Sequence, residues 1–417
     1  MGLFSKPKTK LHQYALALDI GTAVVKALVV QINFRESRGT IIGVGREPQR
    51  LGDMHSGAVS NIEGVVATAQ RAIAQATQMA KVEPDQVVLG IAGEQVKGAK
   101  TTVHYERLKP DSKIDINELR EIVGQVQQRA FEKVRKQLAW ETGHNEIDVK
   151  LINAAVVDVH IDGYRVSNPL GLQGKDVSIG IFNAYAPLIH LGALQSIAAD
   201  LGLDLLSITA EPYAVARAVS EDSDDFGGIF IDIGGGTTDI AVVHKGGVEG
   251  TKMLAIGGRA FTKRLGDELG KGFDEAEQIK LRYAASRLGP EGMVKVKDIF
   301  TNDLRVWLSG VELALSEFKG IDLLPSRIFL CGGGSLLPGI KESLLSPKWI
   351  ENLPFARPPK VVHLKPKDVR DMVDQTKILK GTSDITPMSL ASVAIELAGE
   401  ETVMGKVLHK VVSILET

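Results

Sequence analysis

Two short stretches of this 417-residue chain have a form that suits phosphate chemistry: Leu18-Asp19-Ile20-Gly21-Thr22 and Ile231-Asp232-Ile233-Gly234-Gly235-Gly236-Thr237-Thr238. Each puts an aspartate at the end of an apolar strand and follows it with a tight turn of small residues. Such a turn presents several backbone N–H groups on one side, and larger side chains there would keep a phosphate away. One glycine turn by itself is an ordinary hairpin. Two of the same form are able to clamp one polyphosphate from opposite sides. Asp19 and Asp232 sharpen the reading, because a carboxylate among apolar strand residues is costly to desolvate without a partner. Each could cap its own turn. The shared local sequence favours both approaching a Mg²⁺ ion, whose octahedral shell keeps waters bridged to carboxylates and phosphates.

Three further groups extend the set. Gly332-Gly333-Gly334-Ser335 follows an apolar strand, Ile328-Phe329-Leu330. It is either a tight strand-to-helix loop or a backbone surface against which a flat base or ribose can lie. Glu277 and Lys280 are three apart on a helix and share a face, as a solvated ion pair or as hydrogen-bonding groups for a ribose. Glu211 immediately precedes Pro212 at a helix start. It is either a helix-terminus charge or, in a nucleotide-hydrolysing cleft, the group that orients the attacking water.

The elements that position these residues repeat in outline. The pattern predicts strand, turn and strand over 15–30, a helix over 62–80, a strand at 86–92 and a long helix over 115–140. Strands at 151–161 and 176–184, a helix at 188–201, a strand at 205–209 and a helix from 212 complete the first half. The second half again opens with strand, glycine turn and strand over 228–243, then a third strand ending near 256. Helices are expected at 259–270, 274–288 and about 300–319, and a strand at 326–330. Residues 351–387 read as connecting structure with one short helix, before helices at 388–398 and 403–417. Two copies of the Asp-containing turn imply two similarly folded halves facing each other.

Composition removes other classes. Apolar residues make up 44% and charged residues 24%, a balance that supports a sizeable core. A net charge of −2 gives no global basic field for nucleic acid, and none is expected as a partner. The single cysteine, Cys331, excludes an internal disulfide framework and suits a reducing compartment. No apolar run approaches the ~20 residues that span a bilayer, and no signal-peptide core follows the basic arm with Lys6, Lys8 and Lys10. The protein is therefore expected in the cytoplasm.

The order and spacing of Asp19-Ile-Gly-Thr22, Glu211-Pro212, Asp232-Ile-Gly-Gly-Gly-Thr-Thr-Asp239 and Gly332-Gly-Gly-Ser335 resemble the actin, DnaK-type chaperone and sugar-kinase superfamily. Within it, residues 14–400 are most similar to the FtsA family of bacterial cell division. Gly90-Ile91-Ala92-Gly93, Asp162-Gly163-Tyr164 and Asn168-Pro169-Leu170-Gly171 resemble that family's inserted subdomain. Ala255-Ile256-Gly257-Gly258 with Phe261-Thr262 and Ala276 to Lys280 resembles its nucleotide-side block. A chaperone would continue into a peptide-binding domain, for which no residues are expected to remain.

The resemblance implies an α/β, actin-like (ribonuclease H-like) two-lobed ATPase fold with an FtsA-type inserted subdomain. The expected division is a basic arm at 1–13, a first lobe at 14–85 and 185–210, and the insertion at 86–184. A second lobe at 211–258 and 320–400 carries a small subdomain at 259–319, and 401–417 form a terminal amphipathic helix. ATP with Mg²⁺ is the implied ligand. Asp19 and Asp232 would hold the metal. Gly21, Thr22 and Gly234 to Thr238 would hold phosphates. Gly257, Gly258, Glu277, Lys280 and Gly332 to Ser335 would face the adenosine, and Glu211 the attacking water. The implied activity is weak ATP hydrolysis in a protein that self-associates into filaments and binds the C-terminal tail of the tubulin-like protein FtsZ. PilM, the cytoplasmic adaptor of type IV pilus assembly, is the nearest alternative, and a small-molecule kinase of the same fold a more distant one.

On a helical wheel, Val403, Met404, Val407, Leu408, Val411, Val412, Ile414 and Leu415 fall on one half, and polar residues on the other. In the family such a helix lies on the inner face of the cell membrane, with basic residues such as Lys406 and Lys410 at its edge. The other reading is a helix packed on its own protein.

Overall fold

Each glycine turn closes a β-hairpin, and each hairpin founds its own sheet. The computed structural model describes residues 13–143, 148–221, 223, 225–318, 320–398 and 403–415, so all but the last residue of the basic arm expected at 1–13 lies outside the described residues. The chain opens with a meander of β1 (Tyr14–Ile20), β2 (Val24–Asn33) and β3 (Arg38–Pro48). A two-residue hairpin, β4 (Met54–His55) and β5 (Ala58–Val59), leads to α1 (Ile62–Ala80) and β6 (Gln86–Ile91). Asn61 caps α1 by accepting from the Gly64 N–H, and Lys81 ends it in a left-handed conformation. Next come β7 (Lys97–Glu106), α2 (Ile116–Thr142), β8 (Val149–Ile161), β9 (Tyr164–Arg165) and β10 (Asp176–Pro187). The chain returns through α3 (Leu188–Asp200), β11 (Asp204–Ala210) and α4 (Glu211–Val219).

The second hairpin is β12 (Gly228–Ile233) and β13 (Thr238–His244), extended by β14 (Gly247–Leu254). Three helices follow, α5 (Gly258–Leu269), α6 (Phe273–Ala284) and α7 (Pro290–Ser316), then β15 (Arg327–Cys331). Short helices α8 (Ile340–Leu344) and α9 (Pro347–Glu351), strands β16 (Lys360–His363) and β17 (Met372–Asp374), and helices α10 (Ile385–Ala398) and α11 (Val403–Leu415) finish the described chain.

The first sheet has the order β11-β6-β1-β2-β3-β17. The second has nine strands, β16-β15-β12-β13-β14-β7-β10-β8-β9. It runs without a break from the second lobe into the inserted subdomain, because β14 pairs antiparallel with β7 at Gly250↔Ala99 and Thr251↔Gly98. Three cores result. One lies around the first sheet with α1, α3, α4 and α10. One lies between the second lobe's strands and α5 to α9. The third is shared by α2, α11 and one face of β7, β8 and β10.

The structure corrects several expectations. Gln86–Ile91 does not open the insertion. It is β6, parallel to both β1 and β11 inside the first sheet. The second lobe does not keep the whole of 320–400, since β17 pairs with β3 and α10 packs on α4, β1, β2 and β6. Ile385, Met388, Leu390, Ala391 and Ala394 are all buried there, as befits a helix apolar on most sides. The helix expected near 300 begins at Pro290, where proline suits the first helical turn. Of the two arrangements expected for α11, the structure shows it packed on protein: Met404, Val407, Leu408, Val411 and Val412 are buried against α2 and β8 in the third core. Among the described residues, no helix is long and apolar enough to cross a membrane.

Candidate functional site

The two hairpins place their chemistry by register. Asp19 on β1 lies directly opposite Lys26 on β2, and Asp232 on β12 directly opposite Asp239 on β13. The turns themselves touch. A Cβ added to Gly235 would lie 2.6 Å from the Ala23 Cβ, and one on Gly236 would lie 2.6 Å from the Thr22 Oγ1. Only glycine lets the two turns approach this closely. Between and behind them is a cleft of about 230 Å³.

The cleft gathers Asp19, Gly21, Thr22, Glu211, Asp232, Gly234, Gly235, Gly236, Thr237, Gly258, Glu277, Lys280, Gly332, Gly333 and Gly334. Three of the expected site residues do not line it. Thr238 is fully buried behind its turn, donating to the Ile256 carbonyl at 2.6 Å and accepting from Trp307 Nε1 at 3.0 Å. Ser335 is turned inward and its Oγ donates to the Gly332 carbonyl at 2.7 Å. Gly257 precedes α5 and supports the phosphate-type turn from the rear, where a Cβ would lie 2.7 Å from the Thr237 N.

Sequence reasoning passed over Lys26, although the seven-residue separation from Asp19 across a tight turn signals a cross-strand pair. Its Nζ donates to Asp19 Oδ2 at 2.9 Å. Burial opposes the ammonium charge, yet Asp19 beside it, with Asp232 and Glu211 further off, holds Lys26 above its ordinary pKa. Asp239 was visible only as part of a motif. It is buried, accepts from the Thr237 Oγ1 at 3.0 Å through Oδ2, and has no partner for Oδ1 among the described residues. Burial, then Asp232, pushes its carboxyl well above the usual range. Ser383, in the turn before α10, and Thr386, in its first turn, line the cleft, and the Thr386 hydroxyl donates to Asp232 Oδ2.

Glu211 opens α4 with Pro212 beside it, and its carboxylate lies against Gly90, where a Cβ would be 2.6 Å from Oε1. Burial raises it well above the carboxylate range, with Asp19, Asp239 and Asp232 adding to the effect and Lys26 offsetting part of it. Asp232 is also raised, by burial first, with the Thr386 bond and Lys26 acting in the opposite direction. Four carboxylates thus face one ammonium around the two turns. On the far side, Lys280 Nζ donates to Glu277 at 2.8 Å, the Gly258 carbonyl at 2.9 Å and the Thr262 Oγ1 at 2.7 Å. This is a bracket between α5 and α6, not a solvated pair. Phe261, Leu281 and Leu337 give that end an apolar lining.

A sequence profile of the family described as cell division protein FtsA matches residues 229–361. Cell division protein FtsA of Neisseria meningitidis serogroup B is 30% identical over 356 residues, covering 79% of this chain and 81% of that protein. Its counterpart in Pseudomonas aeruginosa is 27% identical over 350 residues, covering 78% and 79%. Among solved structures, the PilM-PilN type IV pilus biogenesis complex matches with a TM-score of 0.62 at 16% identity, over 94% of this chain and 100% of that one. Ethanolamine utilization protein EutJ from Carboxydothermus hydrogenoformans matches with a TM-score of 0.50 at 18% identity, over 91% and 89%. These structural likenesses show the fold, which is the actin-like α/β ATPase fold. The chain belongs to the cell division protein FtsA family.

Proposed function

We propose that this protein binds ATP with Mg²⁺ in the cleft, hydrolyses it slowly, self-associates into filaments and links the C-terminal tail of FtsZ to the inner membrane surface. The observation that carries the nucleotide reading is the contact of two like turns, each with an aspartate at its strand end, over one cleft. Four carboxylates around one ammonium, and the unpartnered Asp239 Oδ1, fit a hard divalent cation. Among the described residues no three carboxylate, imidazole or thiol groups converge closely enough to hold a metal by themselves. Asp19 and Asp232, from opposite lobes, would therefore hold Mg²⁺ through water, with phosphate oxygens completing its shell. The metal when bound would neutralise phosphate charge.

The chain's own groups account for the rest. Backbone N–H groups of Gly21, Thr22 and Gly235 to Thr237 would face the phosphates, with Lys26 as the nearby ammonium; the Gly234 N–H closes the turn itself, donating to the Thr237 carbonyl at 2.9 Å. Gly258, Glu277, Lys280, Gly333 and Gly334 would surround the adenosine. Glu211 would orient water; burial first, then Asp19, Asp239 and Asp232, raise its carboxyl well above the usual range. Membrane attachment through α11 would require its buried face to leave the inserted subdomain, because the same side chains cannot serve both surfaces.

Calorimetric titration of ATP with and without Mg²⁺ tests the site. Asp232→Asn should remove most of the Mg²⁺-dependent gain in affinity while leaving a metal-independent part. Equal Mg²⁺ dependence in the variant and the unmodified protein would falsify the metal assignment. Titration with a peptide of the FtsZ C-terminal tail tests the partner, and the absence of binding would remove FtsZ from the reading.

A further inference from the structure

Arg259 occupies the first turn of α5, and its backbone is fixed to the second glycine turn. Its N–H donates to the Gly235 carbonyl at 2.8 Å, and the neighbouring Gly258 N–H donates to the Gly234 carbonyl at 2.9 Å. Lys280 holds the Gly258 carbonyl from the other side. The Arg259 side chain then leaves the second lobe. Nη1 donates to the Leu51 and Met54 carbonyls and Nη2 to the Gln49 carbonyl, each at 3.4 Å. The Gln49 and Leu51 carbonyls belong to the connection between β3 and β4, and the Met54 carbonyl to the start of β4; Met54 is buried in the first lobe's core. In the turn between β4 and β5, the Gly57 N–H donates to the Thr22 Oγ1 at 3.2 Å, on the first glycine turn.

A half-buried guanidinium is normally met by a carboxylate. Here Glu277 acts on it only through its charge, and among the described residues its hydrogen bonds go to three carbonyls of the opposite lobe. Nearby, the Gln49 side chain is buried with neither amide atom hydrogen-bonded to a described group. Within its own lobe the segment is held by Met54 in the core, by Asp53 Oδ1 accepting from Asn61 Nδ2 at 3.0 Å and by the Gln49 N–H donating to the Ala23 carbonyl at 2.9 Å; Arg259 adds the tie from across the cleft.

We propose that Arg259 is a clasp across the cleft: it fastens the 49–54 connection of the first lobe to the phosphate-facing turn of the second, and so sets how long a bound nucleotide stays. The inference rests on the nucleotide-binding reading of the cleft. A polyphosphate that orders residues 234–237 also orders the start of α5, and with it the base of the Arg259 side chain. Retention of the ligand and closure of the lobes are coupled through one side chain.

The test follows displacement of a fluorescent ATP analogue from the full chain in Mg²⁺ by stopped flow, together with hydrogen exchange of the nucleotide-free protein. Arg259→Ala should speed dissociation about tenfold, the effect of losing one charge-assisted hydrogen-bond set of modest strength. Arg259→Lys should fall between, because one ammonium does not span three carbonyls. Exchange at residues 49–60 should rise in Arg259→Ala while β1 and the body of α5 stay protected. Unchanged dissociation and unchanged exchange at 49–60 would overturn the clasp. So would a rise in exchange throughout α5 to α7, which marks a structural role, with Arg259→Lys dissociating at the unmodified rate. If the unmodified protein fails to bind the analogue, the nucleotide reading fails, and exchange at 49–60 alone decides the clasp.

Discussion

Replacing Leu408 by alanine tests whether α11 is docked in solution as the structure describes. Leu408 is 5% exposed and shares the third core with Met404, Val407, Val411 and Val412, none more than 6% exposed. A leucine-to-alanine change at such a site costs about 2–5 kcal/mol, from lost burial and the cavity left behind. The loss falls on a 13-residue helix held by one apolar face, so it should appear first as local opening. Hydrogen exchange in α11, and in the facing side of α2, should accelerate together, and thermal melting should shift down. Lys406→Glu is the contrast, since Lys406 is exposed and a surface change there is worth about 0.5 kcal/mol or less to the fold. It should leave the dock intact while weakening attraction to anionic vesicles by about 1 kcal/mol or more. Leu408→Ala should weaken both surfaces, because docking and lipid insertion use the same side chains. A Leu408→Ala protein that melts with the unmodified one, with unchanged exchange in α11 and α2, would refute the docked arrangement.

Two other outcomes follow from the charges in the cleft. Lys26→Met leaves the buried Asp19 carboxylate without its ion-pair partner and should cost about 3–5 kcal/mol in urea unfolding; adding Asp19→Asn should recover much of it, and additive losses would contradict the pair. Glu211 has a folded pKa raised above its unfolded value near 4.5, so its contribution to stability is full below that value and is lost as pH rises through the folded one. Melting of the nucleotide-free protein should therefore fall more as pH rises above about 5 than that of Glu211→Gln, and parallel profiles would remove Glu211 from the effect.

The glycine turns, the aspartates at their strand ends and the helix from Ile62 to Ala80 were legible because their spacing follows local rules. Strand β3 was not read, because Gly39, Gly43 and Gly45 look like loop residues. In the fold Gly43 and Gly45 allow α1 to lie directly on the strand: a Cβ on either would come within about 2 Å of the Ala76 or Ala72 carbonyl. Strand β7 was missed for another reason. Lys97-Gly-Ala-Lys-Thr-Thr shows no apolar alternation, since much of that strand borders polar ion pairs such as Lys100 with Asp158 and Glu249. Lys26 was hidden by being read as a strand residue rather than as the partner its register gives Asp19. The return of α10 to the first lobe, bringing Thr386 to Asp232, is a long-range fact that no local pattern carries. The wheel placed the five buried residues of α11 on one half, together with Val403, which is exposed, but said nothing of which surface covers them.

The pairing of β14 with β7 has a mechanical consequence. The inserted subdomain is covalently tied to the first lobe at both ends, through β6 before it and α3 after it. By sheet pairing it is instead an extension of the second lobe, through just two register pairs. It is a beam with its hinge pins in one body and its weld in the other. Any rotation of the lobes must either shear that short seam or swing the subdomain, and with it α11, relative to the first lobe.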